Sequence, residues 1–159
     1  MVWEEVISSK EEGMTVSLPV EEIEKQIREH FPDAIVQVSD TAIVVRTESL
    51  FEVAQYLKTT PGLDFDYLTH ITAVDYFDYF EVVYQLTSIE HNHSLVLKTR
   101  CYGRDNPTAP SVVSLWRAAD FQEREIYDLM GISFEGHPNL KRIVLWRGFA
   151  GHPLRKDYL

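Results

Sequence analysis

Three strand-like runs stand almost end to end in the middle of this chain: Phe65 to Phe77, Phe80 to Ile89 and Leu95 to Tyr102. They are rich in β-branched and aromatic residues, which favour the pleated, half-buried surface of a sheet. Only short polar turns separate them, and strands joined that tightly pair antiparallel. Helical patterns lie on both sides. Val20, Ile23, Ile27 and Phe31 recur at helical spacing, with Glu21/Lys25 and Glu24/Arg28 as i,i+4 pairs on the other face. Pro19 suits the first turn of that helix, and Phe31-Pro32 stops it. Residues 35–38 and 42–45 flank Ser39-Asp40-Thr41 and predict a hairpin. Ser49 and Glu52 resemble a capping box for a helix with Leu50, Val53, Ala54 and Leu57 on one face, closed by Pro61-Gly62. Further on, a helix is expected through Ser114-Leu115-Trp116 and from Asp120 to Met130. Asp120 and Glu123 form its expected capping box, and Gly131 is its C-terminal stop. The class that follows is α+β: a mixed or antiparallel sheet backed by helices.

The last 29 residues differ in kind. Gly131, Gly136, Gly148 and Gly151, with Pro138 and Pro153, break them up, and only Ile143 to Trp146 looks strand-like. They still carry Phe134, Leu140, Ile143, Leu145, Trp146 and Phe149, too much apolar surface to leave in water, so this extended tail must pack on its own domain or on a partner. At 159 residues the chain is one domain unit, an α+β body over residues 1–130 and the tail over residues 131–159. Net charge follows the same division. Residues 1–90 hold 18 acids and 5 bases, a net of −13, whereas residues 91–159 hold 7 acids and 10 bases, a net of +3. Either a solvated acidic helix or two halves facing different neighbours produces such a split, and charge alone does not separate them.

Several kinds of chemistry are excluded. With one cysteine, Cys101, the chain has no internal disulfide and no several-thiolate zinc or iron–sulfur site of its own, and a reducing compartment is expected. Cys101 sits among strand residues and reads as a buried, inert thiol. No apolar run approaches the roughly 18 residues of a membrane span, and the first five residues are not expected to begin a signal peptide. There is no glycine-rich phosphate loop, nucleophile elbow or dinucleotide fingerprint, and the acidic half would repel nucleic acid. His91-Asn92-His93 has the i,i+2 spacing that puts two imidazoles on one strand face, yet it lies between two strands and reads better as a turn. The aromatic run Asp75-Tyr76-Phe77-Asp78-Tyr79-Phe80 reads as cross-strand packing rather than a stacking platform. No catalytic, cofactor-binding or metal-ligating residue is expected.

Three motifs remain. Glu123-Arg124-Glu125-x-x-Asp128 lies on the expected helix and is followed by Gly131-Ile132. Gly136-His137-Pro138-Asn139-Leu140-Lys141-Arg142 and Gly151-His152-Pro153-Leu154-Arg155-Lys156-Asp157-Tyr158 both follow Gly-His-Pro with an apolar residue and paired bases. Proline fixes an extended backbone beside those bases, which suits projection towards a carboxylate-bearing surface. In their order and spacing the three motifs resemble the C subunit of respiratory NADH:quinone oxidoreductase, complex I. The similarity covers residues 63–159, loosely through Asp66-Tyr67-Leu68, residues 72–75, residues 81–86 and residues 110–113. The first 60 residues share only a helix–hairpin–helix pattern. One departure is visible: the family carries an acidic pair and then a Trp before the last motif, where this chain has Leu145-Trp146-Arg147-Gly148-Phe149-Ala150.

The resemblance implies a non-catalytic subunit in the peripheral arm of a proton-pumping NADH:quinone oxidoreductase, a respiratory-chain translocase. It implies no cofactor in this chain, with flavin, iron–sulfur clusters and quinone on partner subunits. The implied partners are the quinone-site large subunit and the terminal iron–sulfur subunit, and the implied place is the cytoplasmic face of the cell membrane, touched only through the complex. The interface and motif residues are Glu123, Arg124, Glu125, Asp128, Gly131, His137, Pro138, Arg142, Gly151, Pro153, Leu154, Arg155, Lys156 and Asp157; Arg124, Asp128, Arg142, Arg155 and Lys156 are expected to hold the helix and tail in docking geometry, through contacts across the interface or within the chain. The electron donor, whether NADH, ferredoxin or F420, is set on other subunits. Two alternatives stand beside this reading: the corresponding subunit of a membrane-bound energy-converting hydrogenase, and a free-standing metal-binding protein using His91, His93 and His137.

Overall fold

The computed structural model describes residues 16, 17 and 19–158; the expectation for the first five residues lies outside them. In chain order the elements are β1 (Val16–Ser17), α1 (Val20–His30), β2 (Ile35–Val38), β3 (Ala42–Val45), α2 (Leu50–Thr59), β4 (Tyr67–Asp75), β5 (Phe80–Ser88), β6 (His93–Cys101), β7 (Thr108–Pro110), α3 (Ala119–Met130) and β8 (Ser133–Glu135). The main sheet runs β2-β3-β6-β5-β4, with β1 beside the start of β6. Its three long strands form the expected antiparallel meander, and β3 and β1 join β6 in parallel, so the sheet is mixed.

Alternation along β5 and β6 decides which face is the core. Phe80, Val82, Tyr84 and Leu86 share one face with Leu95, Leu97, Thr99 and Cys101, and all are buried. Ile23 and Ile27 of α1 and Leu50, Val53 and Leu57 of α2 belong to the same apolar cluster. The other face is polar. There the Glu81 carboxylate sits 3.4 Å from both Lys98 and Arg100. β4 is the last strand, and α3 packs along it, with Gln122 Oε1 accepting the Ile71 backbone N–H at 2.7 Å. A strand edge is thereby covered by a helix.

β7 and β8 form a small parallel pair joined by α3, with Ala109 opposite Phe134. The segment after Gly131 therefore begins as part of the body, since Ile132 and Phe134 are fully buried. The sequence expectations differ from the structure at four places. Ser114–Trp116 forms turns rather than helix, because Trp116 is anchored by its indole N–H on the Phe65 carbonyl at 3.1 Å. Ser49 makes no capping bond, since it ends a single 3-10 turn with helical backbone angles. Asp120 is not a cap either: α3 starts one residue earlier, and Glu123 turns away to Ser111 and Val112. Ile143 to Trp146 is not a strand, because its amides converge on a single carboxylate, that of Asp128.

Candidate functional site

Residues of the two Gly-His-Pro motifs converge on α3, touching its first turn and capping its last. An α-helix leaves its last four carbonyls without intrahelical partners. Here the chain fills all four. Gly131, left-handed at φ 74°, donates its N–H to Tyr127 O at 2.9 Å. His152 Nδ1–H donates to Asp128 O at 2.8 Å, and the Leu154 N–H to Leu129 O at 2.9 Å. Arg155 Nε donates to Met130 O at 2.6 Å, while its Nη1 reaches Arg104 O at 2.9 Å. The second Gly-His-Pro-Leu-Arg motif is thus the C-terminal cap of α3. Its arginine adds a cation where the helix dipole is negative.

The first Gly-His-Pro motif serves the opposite end. His137 Nδ1 accepts the Asn139 N–H at 2.9 Å, so Nε2 carries the proton and donates to Asp120 O at 3.1 Å, with Asp120 Oδ1 also 3.0 Å away. Arg124, midway, donates to the carbonyls of Lys141 and Arg142 at 3.2 and 3.4 Å. The two similar motifs therefore grip the first and last turns of one helix.

Asp128 is the centre of the arrangement. Its side chain is fully buried, and Oδ1 meets Arg142 Nη1 at 2.8 Å. Oδ2 accepts three successive backbone N–H groups, those of Ile143 at 3.2 Å, Val144 at 2.8 Å and Leu145 at 2.8 Å. Successive amides aimed at one oxygen form an anion-binding nest. They cannot alternate as strand amides do, so this β-branched run does not form a strand. Burial pushes the Asp128 carboxyl upward, and the three amides with Arg142 outweigh it, holding the pKa below the usual carboxylate range. The helix-face pair Arg124–Asp128 that i,i+4 spacing suggests is replaced by Asp128–Arg142, 14 residues apart.

A second anchor holds the chain's last described residues. Asp75, buried at the end of β4, takes a bidentate pair from Arg104 at 2.9 and 2.7 Å and the Lys156 N–H at 2.9 Å. Arg104 holds the Asp75 carboxyl well below the usual range. Arg104 Nε also meets Asp157 at 3.0 Å, and the Arg104 and Arg155 guanidinium groups lie 4.9 and 5.1 Å from the Phe80 ring centre. Asp75 and Arg104 were not among the site residues expected from the motifs. The available signal was Asp75 at a core-facing strand position, where an acid needs a partner.

Glu123 lies apart from this cluster. It is fully buried and accepts Ser111 Oγ–H at 2.6 Å and the Val112 N–H at 2.8 Å, and burial raises its pKa. Glu125 and Pro138 are exposed, and Pro153 is half-buried. Cys101 is buried, and desolvation pushes its thiol up to about 12. Of the three imidazoles of the metal-binding alternative, His91 and His93 lie together, with ring nitrogens bonded to Asp64 and Leu63 O, while His137 has both nitrogens engaged at α3.

The inward turn of Arg142 and Arg155 leaves apolar side chains outward. Val144 is 59% exposed, Trp146 69% and Leu154 59%. Among the described residues no helix is long and apolar enough to cross a membrane.

A two-layer α+β domain with a self-locked C-terminal strap is the class these features define. The profile of the family described as the 30 kDa subunit of respiratory-chain NADH dehydrogenase matches residues 43–159. The C subunit of NADH-quinone oxidoreductase from Cupriavidus metallidurans is 37% identical over 145 residues, covering 86% of this chain and 73% of that protein. The corresponding subunit from Roseiflexus sp. is 39% identical over 140 residues, covering 84% and 80%. A chain in the structure of the membrane-bound sulfane sulfur reductase, an archaeal respiratory membrane complex, aligns with a TM-score of 0.68 and 31% identity, covering 87% of this chain and 84% of that one. The chain belongs to the 30 kDa subunit family of respiratory-chain NADH dehydrogenases, the family that holds the C subunit of complex I.

Proposed function

We propose that this chain is a non-catalytic subunit of a proton-pumping NADH:quinone oxidoreductase, holding the quinone-site large subunit beside the terminal iron–sulfur subunit on the cytoplasmic face of the membrane. The observation that carries the docking part is the polarity of the strap. Arg142 and Arg155 turn inward onto α3, the Lys156 backbone N–H closes on Asp75, and Val144, Trp146 and Leu154 turn outward. Exposed apolar side chains on a rigid segment suit a protein interface, and tryptophan is a frequent anchor there. Because three amides and an arginine fix the loop at residues 142–145, little ordering entropy would be lost on docking. The chain is proposed to carry no redox cofactor, with the electron path on its partners.

The test is affinity purification of the tagged, full-length chain from native membranes in mild detergent. Both partners are expected to co-purify, and Val144→Asp with Trp146→Ala is expected to reduce their yield while the chain still folds. Recovery of the chain alone from intact complex would refute the assignment. The likeness to a sulfane sulfur reductase chain favours one second reading, a related membrane complex with another acceptor, such as an energy-converting hydrogenase. A nickel-ligating large subunit among the partners would select it.

A further inference from the structure

Away from α3, the α2–β4 connection and the β5–β6 turn bring three metal-ligating side chains together. Asp64, Glu90 and His91 each offer one ligand atom, and these atoms all lie within 4.8 Å of one another. Asp64 and His91 are 27 residues apart in sequence, and their side chains meet at 2.7 Å. The two loops are held in place by other contacts. The Ile89 N–H donates to Asp66 at 3.1 Å, and the His91 N–H to Ser88 Oγ at 3.2 Å. The buried His93 ring, fixed by its bond to Leu63 O at 2.8 Å, stacks on His91 with centroids 5.6 Å apart and planes 11° from parallel. That stack sets the orientation of the His91 imidazole. Asp64 itself is anchored by the Gly62 N–H at 3.0 Å.

We propose that Asp64, Glu90 and His91 form a binding site for a divalent transition ion of the Zn2+ class, which clamps the two loops. One imidazole with two carboxylates suits such an ion, whereas Mg2+ and Ca2+ prefer oxygen alone. Metal–ligand bonds of about 2.0–2.2 Å place neighbouring ligand atoms roughly 3.4 Å apart in a tetrahedral site, so small side-chain rotations suffice, with water completing the shell. On binding, the ion takes the place of the hydrogen bond between His91 and Asp64, and any proton held there is released. The acidic half of the chain raises the local concentration of cations. His93 acts here as the support that orients a ligand rather than as a ligand itself. This differs from the histidine pair that i,i+2 spacing suggests, because one partner, Glu90, adjoins His91 in the turn and the other, Asp64, comes from another loop.

Zn2+ titration of the chelator-stripped, full-length chain by calorimetry tests the proposal and does not depend on assembly with partners. One ion per chain is expected, with a rise in melting temperature. His91→Ala and Asp64→Asn should weaken binding by at least about tenfold, while His70→Gln on exposed β4 surface should not. Should those variants misfold, Glu90→Gln gives the same test, since Glu90 lies exposed on the β5–β6 turn. No saturable binding, undiminished affinity in the ligand variants, or equal competition by Mg2+ would overturn the proposal.

Discussion

Replacing Asp128 by Asn removes one charge and almost no volume, and the structure assigns that change a large effect. The carboxylate accepts from Arg142 on one oxygen and from three successive amides on the other. An asparagine amide nitrogen must therefore face either the guanidinium or the amide nest, donor against donor. Hydrogen bonds to a charged group are worth about 1.5–3 kcal/mol, and breaking a buried ion pair costs about 3–5 kcal/mol. Arg142 retains 15% side-chain exposure, so water recovers part of that loss. An effect of roughly 2–4 kcal/mol follows, or about 5–15 °C in melting temperature for a chain of this size. Thermal unfolding followed by circular dichroism reads the global change. Hydrogen exchange reads the local one, as lost protection at the amides of Ile143, Val144 and Leu145. A change below about 1 kcal/mol, with those amides still protected, would refute the claim that Asp128 organises the strap.

Further predictions concern the same body. Asp75 and Asp128 have folded-state pKa values below their unfolded ones, so their contribution is complete above about pH 4 and is lost as pH falls through the folded values. Glu123 is raised, so its cost grows as pH rises above about 4; Glu123→Gln should match the native chain near pH 4 and exceed it in melting temperature at pH 7. Tyr84→Phe removes a buried hydroxyl that finds no hydrogen-bond partner among the described residues, and denaturant titration should show stability unchanged or higher, by up to about 1–3 kcal/mol. Gly131→Ala places a Cβ at a φ of 74° and 2.6 Å from both Arg155 Nη2 and His152 Cδ2. The backbone penalty alone is about 1–2 kcal/mol, and loosening of the cap should appear as faster hydrogen exchange at Leu154.

The antiparallel meander and the helices were legible because their signal is local and periodic. Phe80, Val82, Tyr84 and Leu86 alternate, and Ile23 and Ile27 lie one turn apart. Gly131 was legible as a stop because a left-handed helix end favours glycine. What sequence reasoning missed depends on partners distant in sequence. Ile143 to Trp146 has strand composition, yet Asp128 takes its amides from 15 to 17 residues away. Asp75 and Arg104 are 29 residues apart, and Asp75 meets the Lys156 amide 81 residues on. The motif residues were visible as a group, but whether their charges face inward or outward is decided by the geometry of α3. A cut at Gly131 would remove the buried Ile132 and Phe134, and one after Leu140 would strip Asp128 of its partners, so docking is better tested with point variants than by truncation.

The measurement that bears most directly on the docking role is native mass spectrometry of the detergent-extracted complex that contains this chain. A single copy bound to a quinone-site large subunit and an iron–sulfur subunit, dissociating when Val144 and Trp146 are replaced by Asp and Ala, is the predicted result. A free or self-associated chain, or assembly indifferent to those replacements, would contradict it.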